Sequence, residues 1–115
     1  YAVLLPDLPT RGANIAADLV EMTLPALDKV VELGIADNER IGVMGHSFGG
    51  YTTISLLSQS NRFQAGVMVA GFGNIFGLYG AMRDDGEAFN VQWWERGPHG
   101  FGDSPWKMRD KYLEN

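Results

Sequence analysis

The 115 residues carry a net charge of −5, with 9 Lys and Arg against 14 Asp and Glu, and no block of basic residues. Nucleic-acid binding through phosphate neutralisation is therefore not expected. An apolar fraction of 45% suits a globular fold with a modest core, while the lack of cysteine excludes disulfides and thiolate metal sites.

Residues 1–5 (Tyr1, Ala2, Val3, Leu4, Leu5) form a short, continuously apolar run closed by Pro6 and Pro9. Such a run predicts a strand buried on both faces, as in a mostly parallel sheet. Pro6, Pro9 and Gly12 mark a loop after it. The spacing of Ile15, Leu19, Met22, Ala26, Val30 and Leu33 predicts a helix over 14–33, with Asp18, Glu21, Asp28 and Glu32 on a solvated face. Pro25 either kinks this helix or divides it into two, and Gly34 is a good stop. A strand is predicted over 40–44, a helix over 51–60 with Tyr51, Ile54 and Leu57 as its inner stripe, and a buried strand over 65–70. The first seventy residues thus read β-α-β-α-β, which points to an α/β domain with helices on a parallel sheet.

Periodicity fails from 71 to 103, where glycines and aromatic residues alternate irregularly. That stretch reads as a functional loop region or as short helices. Ser104 and Pro105 look like the cap and first turn of a helix reaching Leu113, with Trp106, Arg109 and Leu113 in its period. The chain opens at Tyr1 inside a strand-like run, without Met, and closes at Asn115 just after a helical pattern. It reads as an internal piece of a larger protein. No apolar run approaches the length of a membrane span.

Chemistry concentrates at Gly45-His46-Ser47-Phe48-Gly49. This is Gly-x-Ser-x-Gly between a strand-like run and a helix, the context of a nucleophile elbow. The turn is expected to strain the backbone of Ser47 so that its hydroxyl projects clear of the sheet. Gly45 and Gly49 are expected to remove collisions with the neighbouring strand and helix. The N–H of Phe48 is the expected first oxyanion donor, with the N-terminus of the following helix behind it.

A serine hydroxyl needs a base, normally a histidine held by a carboxylate. Asp84 or Asp85 with His99 follows Ser47 in the right order, but no convincing strand separates Ala70 from His99, and Gly97-Pro98-His99-Gly100 reads as a polar turn. His46 is expected to pack under the loop. Gly71-Phe72-Gly73-Asn74-Ile75-Phe76-Gly77 is a weak match to a dinucleotide fingerprint and is read as a loop. Trp93, Trp94 and Trp106 line a cleft or cap a core. Two histidines without local carboxylate spacing give no metal site, and no cofactor is expected.

Residues 37–51, which run Asp-Asn-Glu-Arg-Ile-Gly-Val-Met-Gly-His-Ser-Phe-Gly-Gly-Tyr, resemble the elbow region of the prolyl oligopeptidase family of serine peptidases. The likeness is closer to its acylaminoacyl-peptidase and dipeptidyl-peptidase-like branches. Residues 1–7, 61–67 and 104–115 are similar to neighbouring segments of that family. The resemblance implies that residues 1–115 are part of an α/β-hydrolase catalytic domain, the portion around the elbow. It also implies a peptide substrate and a preceding β-propeller that limits entry to short peptides. Ser47 matches the family nucleophile and Phe48 the backbone oxyanion donor. The family's tyrosine oxyanion donor would lie upstream of Tyr1, and its aspartate and histidine beyond Asn115. An esterase or lipase-like hydrolase with the same elbow, or a non-catalytic relative serving as a binding scaffold, are the alternatives.

Overall fold

A computed structural model describes residues 1–9 and 14–115. The described residues fall into two compact units, residues 1–9 with Ala16–Gly73 and residues 14–15 with Asn74–Asn115. Gly12 of the expected first loop lies outside the described residues.

α1 (Ile15–Glu32), whose first residue groups with the second unit, is followed in the first unit by β1 (Gly42–His46), α2 (Phe48–Gln59) and β2 (Ala65–Val69). Pro25 sits inside α1, which continues through it as one helix. Its buried positions are Ile15, Leu19, Thr23 and Leu27, four residues apart, while Leu33 lies beyond the helix and is exposed. Thr23 is tolerated in that stripe because its hydroxyl donates to the Leu19 carbonyl at 2.7 Å. Glu21, Asp28 and Glu32 are exposed and Asp18 is half-buried.

β1 and β2 pair in parallel, with Gly42 opposite Ala65 and His46 opposite Val69. Gln64 extends the ladder by one step: its N–H donates to the Ile41 carbonyl, and its side chain accepts from the Ile41 N–H, both at 2.8 Å. α2 is the crossover and packs against both strands. A β-α-β unit is thus present.

The expected first strand is not. Residues 1–9 have no regular structure, and Val3 and Leu5 are exposed. A strand exists through its ladder, and among the described residues β1 and β2 pair only with each other.

The inner stripe of α2 also differs from the expectation. Tyr51 is buried, but Ile54 and Leu57 are partly exposed, and Thr52, Thr53, Ser55 and Leu56 are buried instead. Leu57 does lie over the sheet, since a Cβ at Gly66 would fall 2.4 Å from its Cδ1. A sheet two strands wide does not cover it. The buried hydroxyls are satisfied internally: Thr52, Thr53 and Ser55 donate to the carbonyls of Phe48, Gly49 and Tyr51 at 3.1, 2.9 and 2.9 Å.

The second unit holds three short helices, α3 (Ile75–Tyr79), α4 (Phe89–Arg96) and α5 (Arg109–Leu113). Asn74 caps α3, its side chain accepting from the Gly77 N–H at 2.9 Å. The helix expected from Ser104 begins only at Arg109. Ser104 closes one turn, its carbonyl accepting from Lys107 and Met108, before α5 starts.

The core of this unit is aromatic. The Tyr112 ring meets Phe101 edge-on at 4.7 Å and Tyr79 at 5.7 Å, and Trp94 stacks on Phe101 at 5.7 Å. Backbone bonds from Phe101 N–H to the Trp94 carbonyl at 2.7 Å and from Gly102 N–H to Glu95 at 3.1 Å tie the loop to α4. Of the three tryptophans, Trp94 is core, whereas Trp106 is exposed with its edge on Tyr79 and Trp93 is exposed beside His99.

Candidate active site

β1 ends at His46 and α2 begins at Phe48, so a single residue, Ser47, makes the turn between strand and helix. Its backbone stands at φ 56°, ψ −117°. A side-chain-bearing residue held there costs about 1–3 kcal/mol, and such strain persists only where the surroundings impose it. Three backbone bonds do so. The Ser47 N–H donates to the Val69 carbonyl at 2.9 Å, and the Ser47 carbonyl accepts from Gly50 and Tyr51 at 2.9 and 3.2 Å. Ser47 is the N-cap residue, yet its side chain makes no capping hydrogen bond. A serine at a helix start normally spends its hydroxyl on the first-turn N–H groups. Here the residue is exposed and the hydroxyl is not committed to the cap.

Phe48 is the first residue of α2, so its N–H belongs to the helix's first turn, beside the serine. A helix of twelve residues directs a partial positive charge to this end. No acidic residue occupies its first turn to neutralise it.

The two motif glycines play unequal parts. A Cβ at Gly45 would lie 2.0 Å from the Gly49 carbonyl oxygen and 2.8 Å from its Cα, so position 45 near the end of β1 admits no side chain. A Cβ at Gly49 would meet nothing within 4 Å. The expected collision at Gly49 is therefore absent: what matters at position 49 is the backbone that crowds Gly45.

Gly50 carries the constraint the motif alone did not assign. A Cβ there would fall 2.6 Å from the Cα of Gly71 and 3.0 Å from Met68 Cγ. The preceding Ala70 has a left-handed backbone, φ 46°. The signals in the sequence were the doubled glycine Gly49-Gly50 and the glycine standing two residues after the end of β2.

His46 is exposed, contrary to the expectation that it packs under the loop. The alternation along β1 places it on the side of Met44, which is also exposed. Tyr51, one turn into α2, is buried between Phe48 at 5.7 Å and Phe72, on which it stacks at 5.1 Å. Burial pushes its phenol up to about 12.

The residues set aside as acid and base lie in the other unit, with local partners. Asp85 accepts from the Glu87 N–H at 3.0 Å and stands 3.4 Å from Arg83. Partial burial lowers the His99 pKa. A hollow of about 300 Å³ runs along α4, lined by Ala88, Val91, Gln92, Glu95 and Arg96, and contains none of the elbow residues. The Gly71–Gly77 stretch leads into a helix of five residues, far short of the regular helix a dinucleotide fingerprint requires. Among the described residues no group of three or more His, Asp or Glu is placed to hold a metal, and no helix is long and apolar enough to cross a membrane.

The chain is similar to the prolyl endopeptidase FAP of Mus musculus, 42% identical over 52 residues, and to those of Bos taurus and Homo sapiens, each 38% identical over 52 residues. The aligned stretch covers 44% of this chain and 7% of the length of each relative. The prolyl oligopeptidase family matches residues 11–112, nearly the whole chain, and the chain belongs to that family.

Proposed function

We propose that this chain is the elbow portion of an α/β-hydrolase catalytic domain, and that the full protein is a serine-type peptidase acting on short peptides by acyl transfer. The observation that carries the reading is Ser47, strained at φ 56° on the N-terminus of α2 with its hydroxyl not spent on capping. The Ser47 oxygen attacks the scissile carbonyl carbon while its proton passes to a histidine base. The carbonyl oxygen becomes an oxyanion beside the Phe48 N–H. The C–N bond then breaks, the histidine returns the proton to the leaving amine, and water releases the acyl group by the same path. The histidine and the aspartate that orients it are assigned, from the family resemblance, to residues beyond Asn115, as is a β-propeller that restricts entry to residues before Tyr1. The 115-residue chain alone is accordingly expected to be inactive.

The test is turnover of fluorogenic peptide amides and of esters by the full-length protein and its Ser47→Ala variant. Peptide turnover that falls by about a thousandfold or more in the variant is expected. Ester turnover without peptide turnover would move the reading to an esterase. A full-length protein that turns over neither class would make it a non-catalytic relative, and parental turnover by Ser47→Ala would remove Ser47 as the nucleophile.

A further inference from the structure

We propose that the turn at the end of β2, Ala70 and Gly71, is a positioning element for the Ser47 hydroxyl, acting through Gly50. The proposal rests on the reading of Ser47 as nucleophile. Three observations in the first unit meet at this turn. Val69, the last residue of β2, accepts the Ser47 N–H at 2.9 Å, which ties the elbow to the strand end. Ala70 then turns left-handed at φ 46°, a conformation that side-chain-bearing residues rarely adopt and that the surroundings must impose. Gly71 follows and lies directly against Gly50, in the first turn of α2. A Cβ at Gly71 would stand 2.8 Å from the Gly50 Cα, and one at Gly50 would stand 2.6 Å from the Gly71 Cα.

The contact is therefore backbone on backbone, and it is reciprocal. Gly50 donates its own N–H to the Ser47 carbonyl at 2.9 Å, so any shift of Gly50 is transmitted to the peptide that holds Ser47. Met68 closes the site from one side, with its Cγ 2.5 Å from a Cβ built at Gly71. That side chain can swing away, whereas the Gly50 backbone cannot move without moving the elbow. An added methyl at Gly71 thus displaces the start of α2, and with it the hydroxyl and the Phe48 N–H. It leaves every group that would touch substrate chemically unchanged.

The experiment uses the full-length protein, with kcat and KM for a fluorogenic peptide, the labelling rate with a fluorophosphonate, and a melting curve for each variant. Gly71→Ala is expected to lower kcat and the labelling rate tenfold to a hundredfold, on the order of what about 1 Å of misplacement costs, with KM within about twofold. Gly50→Ala is expected to do the same. The double variant is expected to lose less than the product of the two, because each added methyl forces apart the same backbone contact. Adding Met68→Ala to Gly71→Ala is expected to restore little. If Gly71→Ala does not fold, Ala70→Val strains the same left-handed turn and the same kcat-selective loss is expected of it, a folded Ala70→Val protein with parental kcat and labelling rate overturning the proposal. A folded Gly71→Ala protein with parental kcat and labelling rate would overturn the proposal, as would full restoration by Met68→Ala. Those outcomes differ from failure of the underlying reading, in which Ser47→Ala itself keeps parental turnover and labelling.

Discussion

The elbow of the first unit is held by backbone against backbone, and the second unit is held by ring against ring. Around Ser47 the decisive distances run between main-chain atoms: Gly45 to Gly49, Gly50 to Gly71, Ser47 to Val69. In residues 74–115 they run between aromatic rings, with Tyr112 at the centre and Phe101, Tyr79 and Trp94 around it. The difference follows from what each sequence offers. The first unit alternates apolar runs with regular spacing and places glycine where main chains must meet. The second has helices of five to eight residues, too short to be stable by themselves, and fastens them with large side chains. The two regions should therefore fail under opposite substitutions: added atoms damage the first and removed atoms damage the second.

The largest effect is expected from Trp94→Ala. Trp94 is buried against Phe101, and removing a buried tryptophan costs about 3–5 kcal/mol. Denaturant unfolding of the full-length protein measures it; a loss below about 1 kcal/mol would mean that the rings do not hold this region.

Next is a pair within the elbow. Gly45→Ala is expected to destabilise by about 3 kcal/mol, since its Cβ would overlap the Gly49 carbonyl. Gly49→Ala is expected to be neutral or stabilising by up to about 1 kcal/mol, because the site is open and alanine favours the helix. Equal losses at both glycines would contradict the asymmetry.

The smallest effect concerns pH. The phenols of Tyr79 and Tyr112 are pushed up to about 12, that of Tyr79 first by its hydrogen bond to Glu95 at 2.6 Å and that of Tyr112 first by burial. A raised pKa in the folded state means that stability is whole below pH 10 and is lost as pH climbs from 10 toward 12, where the unfolded chain ionises first. Tyr79→Phe should make that alkaline decline shallower in unfolding curves taken across this range; an unchanged decline would remove Tyr79 from the account.

The contrast also explains what the sequence disclosed. Elements with a period were legible: α1, β1, α2 and β2 lie within a few residues of where spacing placed them. The elbow was legible because Gly-x-Ser-x-Gly between strand and helix has a steric meaning. The run Tyr1–Leu5 was misread because hydrophobicity reports a wish to be buried and not the partner strand that would bury it. The stripe on α2 was misread because hydroxyls that bond back into their own helix can be buried as readily as leucine, as Thr53 shows. α3 and α4 were not resolved because five or eight residues give no measurable period, and the rings that fix them are far apart in sequence. The doubled glycine Gly49-Gly50 signalled a constraint, but the unequal roles of Gly45, Gly49 and Gly50 were not legible, since they depend on which main chain passes nearest.

Ser47 as nucleophile is reached directly by one measurement. The full-length protein is treated with a fluorophosphonate, digested, and the modified residue located by mass spectrometry. A single adduct on Ser47 is expected, formed far faster than with free serine and absent after Ser47→Ala. Labelling at another serine, or none in a protein that still cleaves peptides, would contradict it.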